Sequence, residues 1–447
     1  MMNYRFAAAA ITAAACGLLL SAGVSDPTTV AEAPIPDATG LVQTVSTAGG
    51  VDTNNPFFLS EGTNGRTCAS CHVQATGWGI SPPEVALRFL RTAGTDPIFR
   101  PVDGATCPSD DVSTVWARLR AYQLLLTKGL IRIELDVPAN ADFQVTAVDT
   151  PYACKDLNHI SIYRRPLPAT NLRFLTTVMW DGRESPAGRS LHDNLFSQSF
   201  DAIEGHAQGD PANPPSAATI NSIVAFESSL YTAQVRDFRA GTLDHAGAQG
   251  GPLPLVAQPF AVGVNNLDAN GQPPDPDVFT NYAAWTHSTV ARRAAIARGE
   301  AIFNRRPITI TGVNGLNDAL GLPAVAGTCT TCHNTPNVGN HSVAGPLNIG
   351  IADASRRTPD LPLYTVSCNN GETVQTTDLG RALVSGKCSD IGKFKGPILR
   401  GLAARAPYFH NGSAATLADV VDFYNTRFNL GLSAQEKSDL IAFLETL

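Results

Sequence analysis

The 447-residue sequence is short of methionine, of charge and of long apolar segments. Only 16% of its residues are charged and the formal net charge is −7, so no basic block is available to bind a nucleic-acid backbone. The one run with bilayer-like apolarity, residues 6–20, is too short for an ordinary transmembrane helix. These shortages argue against a nucleic-acid-binding protein and predict no membrane span in the mature chain.

The N-terminus has the pattern of a targeting segment. Arg5 precedes the apolar run and small residues follow it at 21–23, as in a secretory signal peptide. We therefore expect residues 1–23 to be removed on export to the periplasm. Residues 24–50, rich in Ala, Pro, Thr and Val, are predicted to form a flexible lead. A single anchoring helix is the alternative interpretation of the apolar run.

Nine cysteines are present, and one of them lies inside the predicted signal peptide. Four others form two copies of one motif, Cys68-Ala-Ser-Cys71-His72 and Cys329-Thr-Thr-Cys332-His333. In C-x-x-C-H, two thiols about one helical turn apart can add to the vinyl groups of one porphyrin, and the histidine binds its iron. The sequence therefore predicts two covalent haems c, with His72 and His333 as iron ligands. A zinc site would need two further ligands at each motif, and none is evident at zinc-finger spacing.

The remaining four cysteines lie in two regions, Cys107 with Cys154 and Cys368 with Cys388. An oxidising compartment permits disulfides. Pairing within each region is the simplest of the three possible connectivities. Buried free thiols are the alternative.

Each haem motif follows its own lead-in segment, which predicts two cytochrome c-like domains. We expect a mainly α fold with long loops. The N-terminal domain would cover 51–239, with an insert at about 105–155, and the C-terminal domain would cover 288–447. Residues 240–287, of which 240–276 are rich in Gly, Pro, Asn and Asp, are predicted to connect the two domains.

Hydrophobic periodicity predicts the individual elements. Helices are expected over residues 83–92, 111–128, 219–239, 288–304, 417–428 and 433–447. In the last of them, Ser433 and Glu436 form a capping box. Alternating, β-branched segments at 130–137 and 143–148 predict a small β-hairpin in the insert.

Two segments outside the haem motifs carry a family resemblance. The chain reads W-D-G-R at 180–183 and A-P-Y-F-H-N-G-S-A-A-T-L at 406–417. With both C-x-x-C-H motifs in matching order, it resembles the bacterial di-haem cytochrome c peroxidase/MauG superfamily over roughly residues 55–105 and 155–447. The resemblance implies a periplasmic enzyme that reduces hydrogen peroxide through a high-valent di-haem state. Its electrons would come from a small cytochrome or a cupredoxin.

The resemblance also implies roles for single residues. The N-terminal haem would meet peroxide, and Trp180 would relay electrons between the haems. Aligning Leu191 places Asn194 at the position of the family's amide and Glu204 at that of the glutamate that assists O–O cleavage. A carboxyl group in an apolar pocket can have a pKa high enough to exchange protons near neutrality. Alternatively, Glu204 is a surface carboxylate, and His206 is another candidate proton carrier.

The shortage of methionine bears on the second haem. Met1 and Met2 belong to the signal peptide and Met179 lies in the N-terminal domain, so the C-terminal domain has no methionine to bind iron. In the aligned helix, Tyr424 occupies the position of the peroxidases' axial methionine, where the MauG branch has a tyrosine. A phenolate ligand would lower the reduction potential of that haem. A core role for Tyr424 is the alternative, with His410 as the reserve ligand.

Calcium lies between the haems in many relatives, near the A-P-Y segment. In this chain Arg405 occupies one ligand position, and Arg164 and Arg165 stand near another. Arginine repels a divalent cation, so the resemblance leaves calcium possible but doubtful.

Three functions stay open on the sequence. The first is the peroxidase, and the second is a MauG-like oxidase that modifies a tyrosine or tryptophan of a partner protein. The third is a non-catalytic di-haem electron carrier. An oxygenase of a hydrophobic substrate, as in the larger di-haem rubber oxygenases, fits the length of this chain less well.

Overall fold

The computed structural model describes residues 28–260, 277–341 and 345–447, so the predicted signal peptide lies outside the described residues. The described helices are α1 Pro82–Thr92, α2 Val115–Ala121, α3 Gln123–Lys128, α4 Leu191–Gly205, α5 Ala217–Ser228, α6 Leu253–Ala257, α7 Ala291–Arg305, α8 Asn317–Leu320, α9 Ala382–Ser385, α10 Leu417–Arg427 and α11 Ala434–Leu444. The described strands are β1 Val30–Ala31, β2 Ile35–Pro36, β3 Gly40–Ser46, β4 Ile131–Asp136, β5 Phe143–Asp149, β6 His159–Arg164, β7 Leu230–Asp237, β8 Gly241–Thr242, β9 Ile308–Thr311, β10 Ala324–Gly327, β11 Leu363–Cys368 and β12 Thr373–Thr376.

The prediction of a mainly α fold is wrong. The structure is 32% helical and 17% strand, with several antiparallel sheets. The helix predicted over 219–239 shows why. Only Ala217–Ser228 is helical, and the chain then continues as β7, which pairs along its length with β3. Long-range pairing of a β-branched segment overrides a local helical pattern.

The segment predicted to be a flexible lead contains three of these strands. Gly40–Ser46 is largely buried and lies between β1 and β7 in a sheet that also includes β2 and β8. Trp78, just after the first haem motif, donates its indole hydrogen to Thr44 Oγ1 at 2.9 Å. This sheet is therefore hydrogen-bonded to the segment that directly follows the first haem motif.

The insert is not a hairpin. Strand β4 pairs with β6, while β5 pairs with β11 of the C-terminal half, so the two alternating segments never meet as partners. Strands β12, β11 and β5 form one sheet contributed by both halves of the chain. Adjacency in sequence did not determine the pairing, because β4 pairs with the next strand but one and β5 pairs with a strand of the C-terminal half.

The C-terminal core is built on the packing of α7 against α11. Gly299 permits the close approach, since a Cβ there would lie 2.0 Å from the carbonyl oxygen of Asp439. Phe279, Tyr282 and Trp285, from the segment predicted to be an interdomain connection, are buried in this same core. Leu255 of the same segment packs instead in the core that includes Trp78, so the segment contributes to both cores. Residues 261–276 of it lie outside the described residues.

Other predicted elements are confirmed. Helices α1, α7, α10 and α11 agree with the predicted bounds to within a few residues, and Ser433 and Glu436 form the predicted capping box. The predicted helix over 111–128 is divided at Tyr122 into α2 and α3. Among the residues that the structure describes, no helix combines the length and apolarity needed to cross a membrane.

Both regional cysteine pairs form disulfides, Cys107–Cys154 and Cys368–Cys388. The first spans 47 residues of chain and the second spans 20. A cross-link stabilises mainly by restricting the unfolded chain, and the restriction grows with the logarithm of the loop length.

We therefore expect Cys107→Ser/Cys154→Ser to lower the free energy of unfolding by about 0.8 kcal/mol more than Cys368→Ser/Cys388→Ser does. Denaturant unfolding of the two double variants, compared with the parent, measures the difference. Equal losses, or a larger loss for the shorter loop, would show that native-state packing around the bridges outweighs chain entropy.

Candidate functional site

The two C-x-x-C-H motifs adopt the same local structure. Each starts as a short 3-10 turn, Cys68–Ser70 in one case and Cys329–Thr331 in the other. Thr67 caps the first turn and Thr328 the second, each within a capping box. The repeated geometry places two thiols and one imidazole around each turn in the same arrangement.

Each motif histidine is oriented by a carbonyl six residues later. The Nδ1 atom of His72 lies 3.1 Å from the carbonyl oxygen of Trp78, and Nδ1 of His333 lies 2.7 Å from that of Gly339. Burial lowers the pKa of both histidines, for His333 to about 4. Neutral imidazoles held through Nδ1 keep Nε2 available to a metal, as axial haem ligands require.

The four motif cysteines take no part in either disulfide. Burial is the first cause that raises their pKa values, to about 11 for Cys71 and about 12 for Cys68, Cys329 and Cys332. Zinc binding needs thiolates, whereas thioether links to a porphyrin retain no charge. Across ranges 28–260, 277–341 and 345–447, no three or more His, Cys, Asp or Glu side chains converge as a metal-binding group.

Each motif lines a large, mainly apolar cavity. We call them the N-terminal cavity, which contains Cys68, Cys71 and His72, and the C-terminal cavity, which contains Cys329, Cys332 and His333. The walls of both cavities are mainly apolar side chains. This lining and the donor set together fit one haem c in each cavity.

One wall is shared by the two cavities, and Trp180 lies in it. Its Nε1 donates to the carbonyl oxygen of Arg165 at 2.8 Å, and its own carbonyl accepts from Lys395 N at 2.9 Å. The indole ring lies 6.2 Å from the ring of His410, edge to face. Trp180 is therefore held between the two candidate haem sites.

Lys395 is also in the shared wall and was not predicted. It is buried, and burial lowers its pKa to about 7. Its Nζ donates to the carbonyl oxygen of Thr177 at 2.7 Å. Nothing in the local sequence, in which Phe394 precedes Lys395 and Gly396 follows it, indicated that this lysine would be buried.

Arg165 engages three backbone carbonyls near the A-P-Y segment. Its guanidinium donates to Lys128 O at 2.5 Å, Ile80 O at 2.6 Å and Arg405 O at 3.0 Å. Arg405 stands two residues before Pro407, the position at which the resemblance expects a calcium ligand. A fixed guanidinium already pairs with that carbonyl in this chain.

The neighbouring Arg164 forms a buried ion cluster that joins the two halves. It contacts Asp181 Oδ2 at 2.5 Å, and it binds both oxygens of Asp378, with Nε 2.7 Å from Oδ2. Burial would raise the pKa of Asp181, but Arg164 and then Arg183 hold it at about 2. The cluster is adjacent in sequence to Trp180, so it fixes the backbone that carries the shared wall.

The two residues that the alignment assigned to peroxide chemistry do not line the N-terminal cavity. Asn194 is buried in α4, and its Oδ1 has no hydrogen-bond partner. Glu204, near the end of α4, lies against Gly209, where an added Cβ would be 2.5 Å from its Oε1. The structure therefore brings neither side chain together with His72 in the cavity lining.

Other titratable groups do line it. His206 is one, and its Nδ1 lies 2.5 Å from Asp103 Oδ2. Asp103 also pairs with Arg66 in a buried ion pair. Burial opposes ionisation of Asp103, yet the charge of Arg66 and the hydrogen bond to His206 lower its pKa overall. Glu227, which no motif indicated, lines the same cavity from α5.

In the C-terminal cavity, Tyr424 lies opposite His333. Their ring centroids are 6.3 Å apart with planes at 73°, and both line the cavity. Burial raises the pKa of Tyr424 above its usual range in the absence of a metal. His410 lines the cavity too, stacked on Phe394 at 4.0 Å, and its Nε2 has no hydrogen-bond partner. Either side chain could reach into the space that a porphyrin would fill.

The family model and the curated relatives that match parts of this chain are described as cytochrome c-like or as cytochrome c peroxidases. Residues 393–429, which contain the H-N-G segment and Tyr424, match a model described as RoxA-like, cytochrome c-like. The chain is 39% identical over 132 residues to cytochrome-c peroxidase IdrP2 of Denitromonas iodatirespirans, covering 27% of this chain and 36% of the relative. It is 32% identical over 120 residues to cytochrome c551 peroxidase of Nitrosomonas europaea, covering 27% and 30%.

The chain thus spans about a third of the length of the curated relatives it matches. Among solved structures, a MauG-like protein associated with microbial copper homeostasis aligns with 88% of this chain and 86% of its own. The sequence identity is 18% and the TM-score 0.42.

Proposed function

We propose, starting from the membership of this chain in the di-haem cytochrome c peroxidase/MauG superfamily, that it is an exported peroxidase with two covalent haems c. It would reduce hydrogen peroxide with electrons from a small cytochrome or a cupredoxin. Periplasmic location, the haem number and the electron donor all belong to this proposal.

The observation that carries the proposal is the pair of cavities with Trp180 in the wall between them. Each cavity holds one complete C-x-x-C-H set, so each would bind a haem through two thioethers and one imidazole. A haem supplies redox-active iron that can accept and return electrons. A di-haem carrier would also need two haem cavities, but it would not need titratable groups such as His206 and Glu227 beside the first motif.

The chain's own residues would divide the remaining work. In the N-terminal cavity, His206 and Glu227 can hold or move protons, while the apolar walls exclude bulk water. In the shared wall, Trp180 offers an oxidisable ring between the two sites. In the C-terminal cavity, Tyr424 or His410 would complete the coordination opposite His333.

Trp180→Phe tests the electron relay. The phenyl ring preserves most of the packing but is much harder to oxidise than indole. We expect steady-state oxidation of a reduced donor cytochrome by hydrogen peroxide to slow by about tenfold or more, equivalent to about 1.4 kcal/mol at the barrier. The first reaction with peroxide, followed by stopped-flow absorption, should keep its rate.

Trp116→Phe is the matched control, because Trp116 is an exposed tryptophan on α2 outside both cavities. It should leave both rates unchanged. Fewer than two haems in a pyridine haemochrome assay, or a wild-type protein that does not oxidise donor with peroxide, would contradict the proposed function. Equal turnover in Trp180→Phe would contradict the relay.

The second candidate is a MauG-like oxidase that modifies a tyrosine or tryptophan of a partner protein, and the position of Tyr424 favours it. An anionic axial ligand would let the second haem store an oxidising equivalent. In that case peroxide-treated protein without donor should retain two oxidising equivalents that ascorbate can titrate minutes later. Their loss within the mixing time would favour the simple peroxidase.

A further inference from the structure

Glu227 is the one carboxyl group of the N-terminal cavity lining that is both deeply buried and without a cationic partner in the described structure. It is 5% exposed and lies on α5, which packs against α4. Asp103, which lines the same cavity, is tied to Arg66 and His206. The third lining carboxyl, Glu61, is only half-buried.

The carboxyl group of Glu227 is half satisfied. Ser199 of α4 hydrogen-bonds it, but Oε1 has no hydrogen-bond partner. An unpaired buried oxygen costs free energy, so a native protein retains one where a ligand or a water completes it. Because Glu227 lines the N-terminal cavity, a small polar ligand in that cavity could reach its Oε1 atom.

Its surroundings favour a neutral acid at neutral pH. Burial is the main cause that raises the pKa of Glu227, to about 8, and only the Ser199 hydrogen bond opposes it. Glu227 is also close to the haem motif, since its charge follows burial among the causes that raise the pKa of Cys68. A protonated carboxyl beside the haem site can donate a proton and later regain one.

We propose that Glu227, and not Glu204, carries the proton during peroxide reduction in the N-terminal cavity; this inference rests on the proposed function. Glu227 gives its proton to the leaving oxygen of hydrogen peroxide as the O–O bond breaks, and one water departs. Two electrons from the electron-donor protein leave the other oxygen as hydroxide, which takes one proton from solvent and departs as a second water. The carboxylate regains its own proton from solvent.

The test is Glu227→Gln, which keeps the shape and the partner for Ser199 but cannot exchange protons. We expect the second-order rate of reaction with hydrogen peroxide to fall about 100-fold or more. Glu227→Asp, which restores a carboxyl group at a shorter reach, should recover part of that rate. Glu372→Gln, an exposed carboxyl on the turn between β11 and β12, should react like wild type.

A second readout does not depend on turnover. At pH 7 the infrared spectrum of the wild-type holoprotein should contain a protonated-carboxyl C=O band that Glu227→Gln lacks and Glu372→Gln retains. Haem content and unfolding midpoint, measured on the same samples, show whether each variant is folded. Absence of this band would mean that Glu227 is ionised and would overturn the proposal.

Kinetic outcomes separate this proposal from the broader one. If wild type reacts with peroxide and Glu227→Gln reacts equally fast, the role of Glu227 is overturned. The same follows if Glu204→Gln is the variant that loses rate and Glu227→Gln is not. Both outcomes are compatible with the proposed peroxidase function. A wild-type protein with two haems that fails to react with peroxide would overturn the proposed function and this inference together.

Discussion

Arg164→Met is expected to lower the free energy of unfolding by about 3–5 kcal/mol, because it leaves buried Asp378 without a guanidinium partner and buried Asp181 with Arg183 alone. Asp181 is fully buried and Asp378 nearly so, and Arg164 is the cation that bridges them. Methionine fills much of the same volume as arginine. The decrease in the free energy of unfolding would therefore come mainly from the buried negative charge that has lost its cation. Guanidinium unfolding of the holoprotein, followed by far-UV circular dichroism, gives the number.

Arg305→Met is the control for this measurement. Its ion pair with Asp277 has both side chains about half exposed, and surface pairs are worth about 0–1 kcal/mol. A combined Arg164→Met/Asp378→Asn variant should recover part of the loss, since one buried charge disappears with the cation. If Arg164→Met and Arg305→Met were equally stable, the cluster would not be what holds the two halves together.

Tyr424→Phe is expected to change the second haem more than any other single hydroxyl deletion. If the phenolate is an iron ligand, its loss should raise the reduction potential of that haem by on the order of 100 mV, since axial ligands tune haems over about 0.8 V. The low-spin signal of that haem in the electron paramagnetic resonance spectrum should also disappear or shift. A redox titration monitored by absorption measures the first effect.

Tyr408→Phe is the matched control in the same cavity. Its hydroxyl donates to the carbonyl oxygen of Leu402 at 3.0 Å, so its loss removes a hydrogen bond but no candidate ligand. The potential and the spectrum should stay as in wild type. An unchanged spectrum in Tyr424→Phe would transfer the axial role to His410, and His410→Ala would then be the variant that shifts the signal.

The chemistry-bearing motifs could be predicted from sequence because each depends on spacing alone. C-x-x-C-H fixes two thiols and an imidazole on one turn, and the structure shows the same 3-10 turn at both motifs. The disulfide pairing was predictable for a similar reason, since each partner was the nearest free cysteine. The helices α10 and α11 begin at strong caps and keep a regular apolar face.

The sheets could not be predicted in this way, because their partners lie far apart in the chain. Strand β3 pairs with β7 almost 200 residues later, and nothing local in either segment specifies the other. Alternation of apolar and polar residues correctly predicted strands near 130–137 and 143–148. The prediction that these two strands pair as a hairpin was wrong, because each pairs with another strand. Non-local pairing was also what shortened the helix predicted over 219–239.

Glu227 illustrates what a sequence reading can overlook. It is the only charged residue of α5, and it lies four residues after Ile223 and seven after Ile220, on the buried face. A single acid on an otherwise apolar helical stripe was the available signal. The family resemblance implied Glu204 as the catalytic acid instead, and the side chain of Glu204 lies against Gly209.

The pairing of β5 with β11 also affects how the protein is made. Leu363 pairs with Asp149, so the 213 residues from 150 to 362 must follow β5 before its partner strand begins to emerge. At roughly 5–20 residues per second, the edge of β5 stays open for about 10–40 s of synthesis. A fragment that stops before residue 363 would keep that edge, and open edges join strands of other chains. Nascent chains of this protein are therefore most prone to aggregate while they are between these two lengths.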